Sequence, residues 1–178
     1  MPAQSTPISY ASNIAPTPQQ VSSYTVGPAL PRYLIIPELG INSEISPVNL
    51  NKNNNLQAPD NIYKVGWWQT SSVPGQAGAT VLDGFTTNGT DQGVFSALSQ
   101  LKPGDKFQVQ TGSNVTVNYQ VVQSVEFGTN KLTMNQAISP VISSKPGLNI
   151  ISCHGLTLTC PTSNSTDFVV FAVQVSTQ

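Results

Sequence analysis

Short apolar runs and alternation with a period of two dominate the chain from residue 32 onward. Residues 33–36 form an apolar run that Pro37 closes, and residues 41–48 alternate in the manner of a strand. Further strands are predicted over residues 79–82, 107–109, 115–121, 148–152 and 168–175, and residues 122–127 continue or bend the strand before them. The last strand is apolar on both faces, as a central strand would be. So many short strands favour a closed or nearly closed β-barrel.

One short helix is predicted over residues 93–101. Val94, Phe95, Leu98 and Leu101 recur with helical spacing, and the turn residues of 102–105 end the pattern. We therefore expect a mainly β fold, a barrel with one or two short helices.

The first 29 residues differ from the remainder of the chain. Prolines are interleaved with Ser, Thr and Gln, and hydrophobic periodicity is absent. Such a segment buries too little apolar surface to order itself alone. We expect a tether over residues 1–29 that contributes little to stability, followed by the barrel domain over residues 30–178.

Length, composition and charge limit the size of the fold and the kinds of partner or cofactor that it could bind. The length of 178 residues and the 38% hydrophobic content suit one domain with a real core. Charged residues make up 8% and the net charge is -1, so no basic face is expected and nucleic acid is excluded as a partner. No signal peptide pattern is visible, and we expect membrane contact only through an anchor removed from this sequence. Two cysteines and one histidine are too few for a zinc site, so neither a metal nor a cofactor is expected.

Ordered short motifs give the most specific information. They are Pro31-Arg32-Tyr33-Leu34-Ile35-Ile36-Pro37, Val65-Gly66-Trp67-Trp68, Pro74-Gly75-Gln76-Ala77-Gly78, Gly93-Val94-Phe95, Leu101-Lys102-Pro103-Gly104-Asp105, Ile150-Ile151-Ser152-Cys153 and Val169-Val170-Phe171-Ala172. The ordered set resembles the sortases, most closely those of class F. This resemblance implies an eight-stranded β-barrel on the outer face of a bacterial membrane. It also implies cleavage of a Leu-Pro-x-Thr-Gly sorting signal, through an acyl-enzyme at the cysteine that an amine acceptor resolves.

Sortase chemistry requires a thiolate nucleophile, an imidazole that protonates the leaving amine, and a guanidinium that steadies the oxyanion or holds the substrate. The resemblance assigns the nucleophile to Cys153. It places Phe85 where the family has its His, directly after Gly84, and Ser165 where the family has its Arg. The single arginine of the chain, Arg32, lies near the N-terminal end of the barrel domain.

Three alternatives remain open for Cys153. It could be a buried, unreactive thiol, since free cysteine packs as a small hydrophobe. It could form a disulfide with Cys160, which would block the nucleophile. It could pair with His154, although consecutive strand residues face opposite sides unless the chain turns sharply.

Two functions of different class follow. In the first, the chain is a degenerate sortase retained as a surface-displayed binding or structural domain. In the second, it is an active transpeptidase or thiol protease that uses Cys153 with helpers such as His154, Asp83 or Ser165. General acid–base help is worth about 10²- to 10⁴-fold and an oxyanion donor about 10²- to 10³-fold, so losing both favours the degenerate sortase.

Overall fold

The computed structural model describes residues 11–87, 89–128, 131–154, 159–160 and 167–176. The strands in chain order are β1 (Pro31–Ile36), β2 (Ile41–Val48), β3 (Leu56–Gln57), β4 (Val65–Trp68), β5 (Ala79–Thr87), β6 (Lys106–Thr111), β7 (Thr116–Phe127), β8 (Gly147–His154), β9 (Thr159–Cys160) and β10 (Asp167–Val175). Two short helices, α1 (Pro18–Ser23) and α2 (Met134–Ile138), accompany them. Neither helix is long enough to cross a bilayer.

Eight strands close a barrel in the order β1-β2-β4-β5-β8-β10-β7-β6, and β3 pairs with β9 outside it. The pairs β2–β4 and β5–β8 are parallel, and the others are antiparallel. The predicted mainly β, eight-stranded barrel with short helices is confirmed. As expected for a strand that is apolar on both faces, β10 lies between β7 and β8.

The buried apolar residues form two clusters, one inside the barrel and one on its outer face. The barrel interior is filled by residues such as Leu34, Leu82, Ile150 and Val170, which are all fully buried. Alternation turns the neighbouring residues of β5, β8 and β10 outward, and they form a second, outer cluster. Its buried members are Val48, Leu56, Ala58, Ile62, Val81, Phe85, Ala137, Ile151, Cys153, Val169 and Phe171. Because the outer cluster is covered, this side of the barrel can hold a buried site.

The helix predicted over residues 93–101 is wrong in its extent. The structure has only a 3₁₀ turn at Leu98–Gln100. The backbone N–H of Val94 donates to the carbonyl of Ile62, and that of Phe95 donates to the carbonyl of Phe85. These bonds tie the segment to the barrel instead of to its own preceding turn. The apolar spacing therefore reflects the burial of Phe95, Leu98 and Leu101 and not an α-helix.

Part of the N-terminal segment lies against the barrel. The Ser12 N–H donates to the Asp60 carbonyl at 2.7 Å, and the Ile62 N–H donates to the Ser12 carbonyl at 2.9 Å. The Tyr24 hydroxyl donates to the Ile45 carbonyl at 2.6 Å. The sequence did not predict these contacts, since residues 12–24 lack hydrophobic periodicity. The division of the chain into a tether and a barrel domain stays a prediction.

Replacing Tyr24 by Phe is expected to lower the free energy of unfolding by about 1 kcal/mol, because the hydrogen bond to β2 is lost while the ring is kept. Denaturant unfolding of both proteins measures the change. An unchanged midpoint would show that the arm adds no stability through this contact, as the expectation of a weakly attached tether requires.

Candidate functional site

The candidate site lies where β5 and β8 run side by side. In this parallel pair Phe85 is level with Cys153, and Asp83 is level with Ile151. Alternation along each strand places all four residues on the outer face. Phe85 and Cys153 are almost completely buried, with exposed fractions of 1% and 0%. The resemblance therefore predicted a pair of positions that the fold does bring together.

The sulfur of Cys153 is disulfide-bonded. The sequence contains one other cysteine, Cys160, whose backbone pairs with Leu56 across β3 and β9 and whose side chain lies outside the described part of the structure. In this state Cys153 has no thiol and cannot attack a carbonyl. Of the three alternatives left open by the sequence, the disulfide is the one in which the structure places Cys153.

Asp83 is the polar group beside this sulfur. Its Oδ2 atom lies 3.8 Å from the Sγ atom of Cys153, and its Oδ1 atom has no hydrogen-bond partner. The side chain is fully buried. Burial raises the pKa of Asp83 well above the usual carboxyl range, opposed only by a hydrogen bond from its own backbone. Since a disulfide sulfur has no proton to donate, a neutral carboxyl of Asp83 is the group that can donate in this contact.

Space for the Asp83 carboxyl comes from Gly66 on the neighbouring strand. The two residues pair across β4 and β5, and a Cβ atom at Gly66 would overlap Oδ1 of Asp83. Any larger residue at position 66 would force the carboxyl to move. Gly66 therefore lets β4 cover the acid.

A second buried acid, Asp167, begins β10, the strand on the other side of β8 from β5. In the antiparallel pair of β8 and β10, Val169 is level with Ile151, and the Phe168 N–H donates to the Ser152 hydroxyl at 2.9 Å. Extending this register by two residues from Val169 and Ile151 would bring Asp167 level with Cys153. Asp167 is 1% exposed, its Oδ1 atom has no partner, and burial raises its pKa to about 6.

The other predicted site residues have different outcomes. Ser165 lies outside the described residues, so its assignment to the guanidinium position stays a prediction. His154 ends β8 and its side chain is likewise not described, so its role as a helper also stays a prediction. Sequence reasoning named Asp83 only as one possible helper and gave Asp167 no role. The available signal for Asp167 was its place two residues before Val169, at the start of the last strand.

Arg32 lies on β1, which three strands separate from β8 in either direction around the barrel. Its guanidinium donates to the carbonyls of Tyr24 and Ser22 and to the side-chain oxygen of Asn114. The only arginine of the chain therefore holds the N-terminal arm and takes no part at Cys153.

An apolar cavity of about 190 Å³ opens on the outer face next to the site. Its walls come from β3, β4, β5, β8 and the region of α2. The lining residues are Asn54, Asn55, Leu56, Trp68, Val81, Leu132, Thr133, Met134, Ala137, Ile138 and Ile151. Because Ile151 precedes Cys153 by two residues on the same face, the cavity and the disulfide belong to one continuous surface.

Asn149 fixes the wall that α2 forms. Its side-chain nitrogen donates to the carbonyls of Ala137 and Ser139, at 2.7 and 2.9 Å. These bonds satisfy the end of the five-residue helix, which is too short to be stable without its packing on the barrel. Among the described residues, no cluster of three or more His, Cys, Asp or Glu side chains could hold a metal ion.

Comparison with known proteins supports the fold. A family model described as the Sortase domain matches residues 34–175. The pilus-related sortase C of Group B Streptococcus superposes with a TM-score of 0.60 at 19% identity, over 85% of this chain and 70% of that one. Sortase C-1 of Streptococcus pneumoniae gives 0.59 at 18%, over 83% and 67%. Sortase C of Clostridium perfringens gives 0.57 at 16%, over 86% and 73%. No curated protein matches the sequence.

Proposed function

The chain belongs to the sortase family, and we propose that it is a degenerate member, which binds a sorting-signal peptide without cleaving it. The observation on which this proposal mainly rests is the buried, disulfide-bonded state of Cys153 beside Phe85. An aromatic ring occupies the position level with the sulfur, where an acid–base catalyst would be needed. No proton transfer to a leaving amine is available from a phenyl ring.

The charges near Cys153 also oppose catalysis. A thiolate and a tetrahedral oxyanion are both negative, and a sortase stabilises them with a cation. Here one buried acid, Asp83 on β5, lies 3.8 Å from the sulfur, and a second buried acid, Asp167, begins the neighbouring strand β10. When ionised, either carboxylate would raise the free energy of a neighbouring negative charge in this low-dielectric setting. Reduction of the disulfide alone would therefore leave a poor nucleophile.

The apolar cavity supports retention of peptide binding. Its walls are predominantly hydrophobic, and its volume suits the side chains of one or two residues. The Leu-Pro portion of a Leu-Pro-x-Thr-Gly signal has this apolar character. We propose that the cavity holds this portion, and that the domain acts at the outer surface of a bacterium, as the resemblance to class F sortases implies.

The alternative is an active transpeptidase that passes an acyl group from Cys153 to an amine acceptor with His154, Asp83 or Ser165 as helper. The contact between Asp83 and Cys153 favours this alternative, because it places an acid near the sulfur. That carboxyl is fully buried, so it is poorly placed to reach a leaving amine of a bound peptide.

Reduced wild-type protein is expected to hydrolyse a fluorogenic Leu-Pro-x-Thr-Gly peptide no faster than its Cys153→Ala variant. Both proteins are assayed after reduction, with and without a glycine-based amine acceptor. Turnover by the wild type that the Cys153→Ala variant lacks would overturn the degenerate assignment and support the active transpeptidase.

Met134→Lys is expected to weaken binding of the same peptide by at least about tenfold, because a charge enters an apolar cavity. Met134 is 39% exposed, so the fold should tolerate the change. Val115→Lys is the matched control, since Val115 is 57% exposed and does not line the cavity. Titration calorimetry measures both. Equal loss in the two variants, or no binding by the wild type, would refute a sorting-signal site in this cavity.

A further inference from the structure

Asp83 makes a contact that the loss of sortase chemistry does not explain. Its carboxyl is fully buried, one oxygen lies 3.8 Å from the disulfide sulfur of Cys153, and the other has no partner. Burying an unpaired carboxyl is costly, and an acid without a role would be expected at the surface. Carboxyl groups with strongly perturbed pKa values cluster at functional sites.

We propose that Asp83 is the proton donor to the sulfur of Cys153 when a small thiol reduces the disulfide at this residue. The position that resembles a sortase nucleophile then works as a redox-active disulfide. This inference does not depend on peptide binding in the neighbouring cavity.

Burial decides which sulfur is attacked. The Cys153 side chain is fully buried, so a thiolate from solvent has no path to its sulfur. The incoming thiolate therefore attacks the partner sulfur, and the sulfur of Cys153 is the leaving group. In a chain with two cysteines, Cys160 is the residue to test as that partner.

The leaving sulfur needs a proton. The bond between the partner sulfur and Cys153 breaks, a bond from the partner sulfur to the small thiol forms, and the electron pair departs on Cys153. An unpaired thiolate in this buried position would be strongly disfavoured. The proton on the Asp83 carboxyl moves to the sulfur, and solvent later restores it to the carboxylate. A second small thiolate resolves the mixed disulfide, so two thiols are oxidised to one disulfide as the protein gains two thiols.

Among the described residues around Asp83, none competes with the Cys153 sulfur for this proton. Gly66 faces it from β4, and Ile151 and Cys153 face it from β8. Asp167 lies on β10, which is on the far side of β8 from Asp83. The ion pair of Lys64 with Glu44 connects the residue before β4 to β2. None of these charges contributes to the raised pKa of Asp83, which follows from burial. Burial therefore favours the protonated form of the acid, and the Cys153 sulfur is a described acceptor within its reach.

The test measures reduction of the intact disulfide-bonded chain by dithiothreitol between pH 6 and 9. Samples are quenched with iodoacetamide, and mass spectrometry reports the modification of Cys153. Each rate is divided by the concentration of the reductant's thiolate. For the wild type this corrected rate should fall as pH rises and Asp83 loses its proton. For Asp83→Asn it should be about 10²-fold lower at pH 6 to 7, the usual worth of a general acid, and independent of pH.

Asp60→Asn is the matched control, because Asp60 is an exposed acid. It should be reduced like the wild type. A wild-type profile that is flat after correction overturns the proposal, and so does reduction of Asp83→Asn at the wild-type rate or faster. If Asp83→Asn fails to fold, as circular dichroism would show, the wild-type profile alone decides.

Discussion

The double substitution Phe85→His with Asp167→Arg, made in a Cys160→Ser background, is expected to give Cys153-dependent hydrolysis of a Leu-Pro-x-Thr-Gly peptide. The background removes the second cysteine, so Cys153 keeps its thiol. Position 85 is level with Cys153 on β5. The register of β10, extended two residues beyond Val169, would bring position 167 level with it on the other side. The variant would thus place an imidazole and a guanidinium on either side of the thiol.

The expected gain over the Cys160→Ser background is at least about 10²-fold, since general acid–base help alone contributes about 10²- to 10⁴-fold. Removing the Asp167 carboxyl also removes a negative charge beside the developing thiolate. Loss of the buried Phe85 ring costs packing energy, up to about 3 kcal/mol, so thermal unfolding must first show an intact fold.

A parallel arm with Phe85→His and Ser165→Arg separates the two candidate guanidinium positions. The register favours Asp167, so this arm should show the smaller gain. Activity that survives Cys153→Ala in either arm would come from elsewhere. If both folded variants remain as inactive as the background, Phe85 does not occupy a vacated catalytic position, and the degenerate-sortase proposal loses its structural basis.

The barrel could be predicted from the sequence because alternation and apolar runs mark most of its strands. The short helices could not be predicted from apolar periodicity, although the sequence held another signal. Thr17 with Gln20, and Thr133 with Gln136, form capping boxes at the two helix starts. The prediction of a helix over residues 93–101 was wrong because this segment is a loop that hydrogen-bonds to β5. Its buried apolar residues happen to have the spacing of one helix face.

The candidate site was only partly predictable. The resemblance identified Cys153 and Phe85, and the parallel register of β5 and β8 makes them neighbours. The burial of Asp167 beside Cys153 depends on the register between β8 and β10, which the sequence does not specify. The approach of Asp83 to the sulfur could not be predicted from the sequence either, because it depends on the space left by the missing side chain of Gly66.

The free energy of unfolding is expected to fall as pH rises from about 4 to about 6, and Asp167→Asn should remove part of that fall. Burial raises the pKa of Asp167 from 3.8 in the unfolded chain to about 6 in the fold. Within this window the native state binds a proton that the unfolded state has lost, so rising pH favours unfolding. The contribution is complete below about pH 4 and lost above about pH 6.

A shift of this size corresponds to roughly 3 kcal/mol at most, and we expect about 1 to 3 kcal/mol because the fold relaxes around the ionised carboxylate. Asn keeps the shape and stays neutral, so the variant should gain stability relative to the wild type by this amount between pH 4 and 6. Burial raises the pKa of Asp83 as well, so its titration changes stability with the same sign. Urea unfolding of the disulfide-bonded proteins across this range, with Asp60→Asn as the control, measures the difference. A constant gap between wild type and Asp167→Asn from pH 4 to 7 would mean that Asp167 is not protonated in the fold, and that an ionised carboxylate lies beside Cys153.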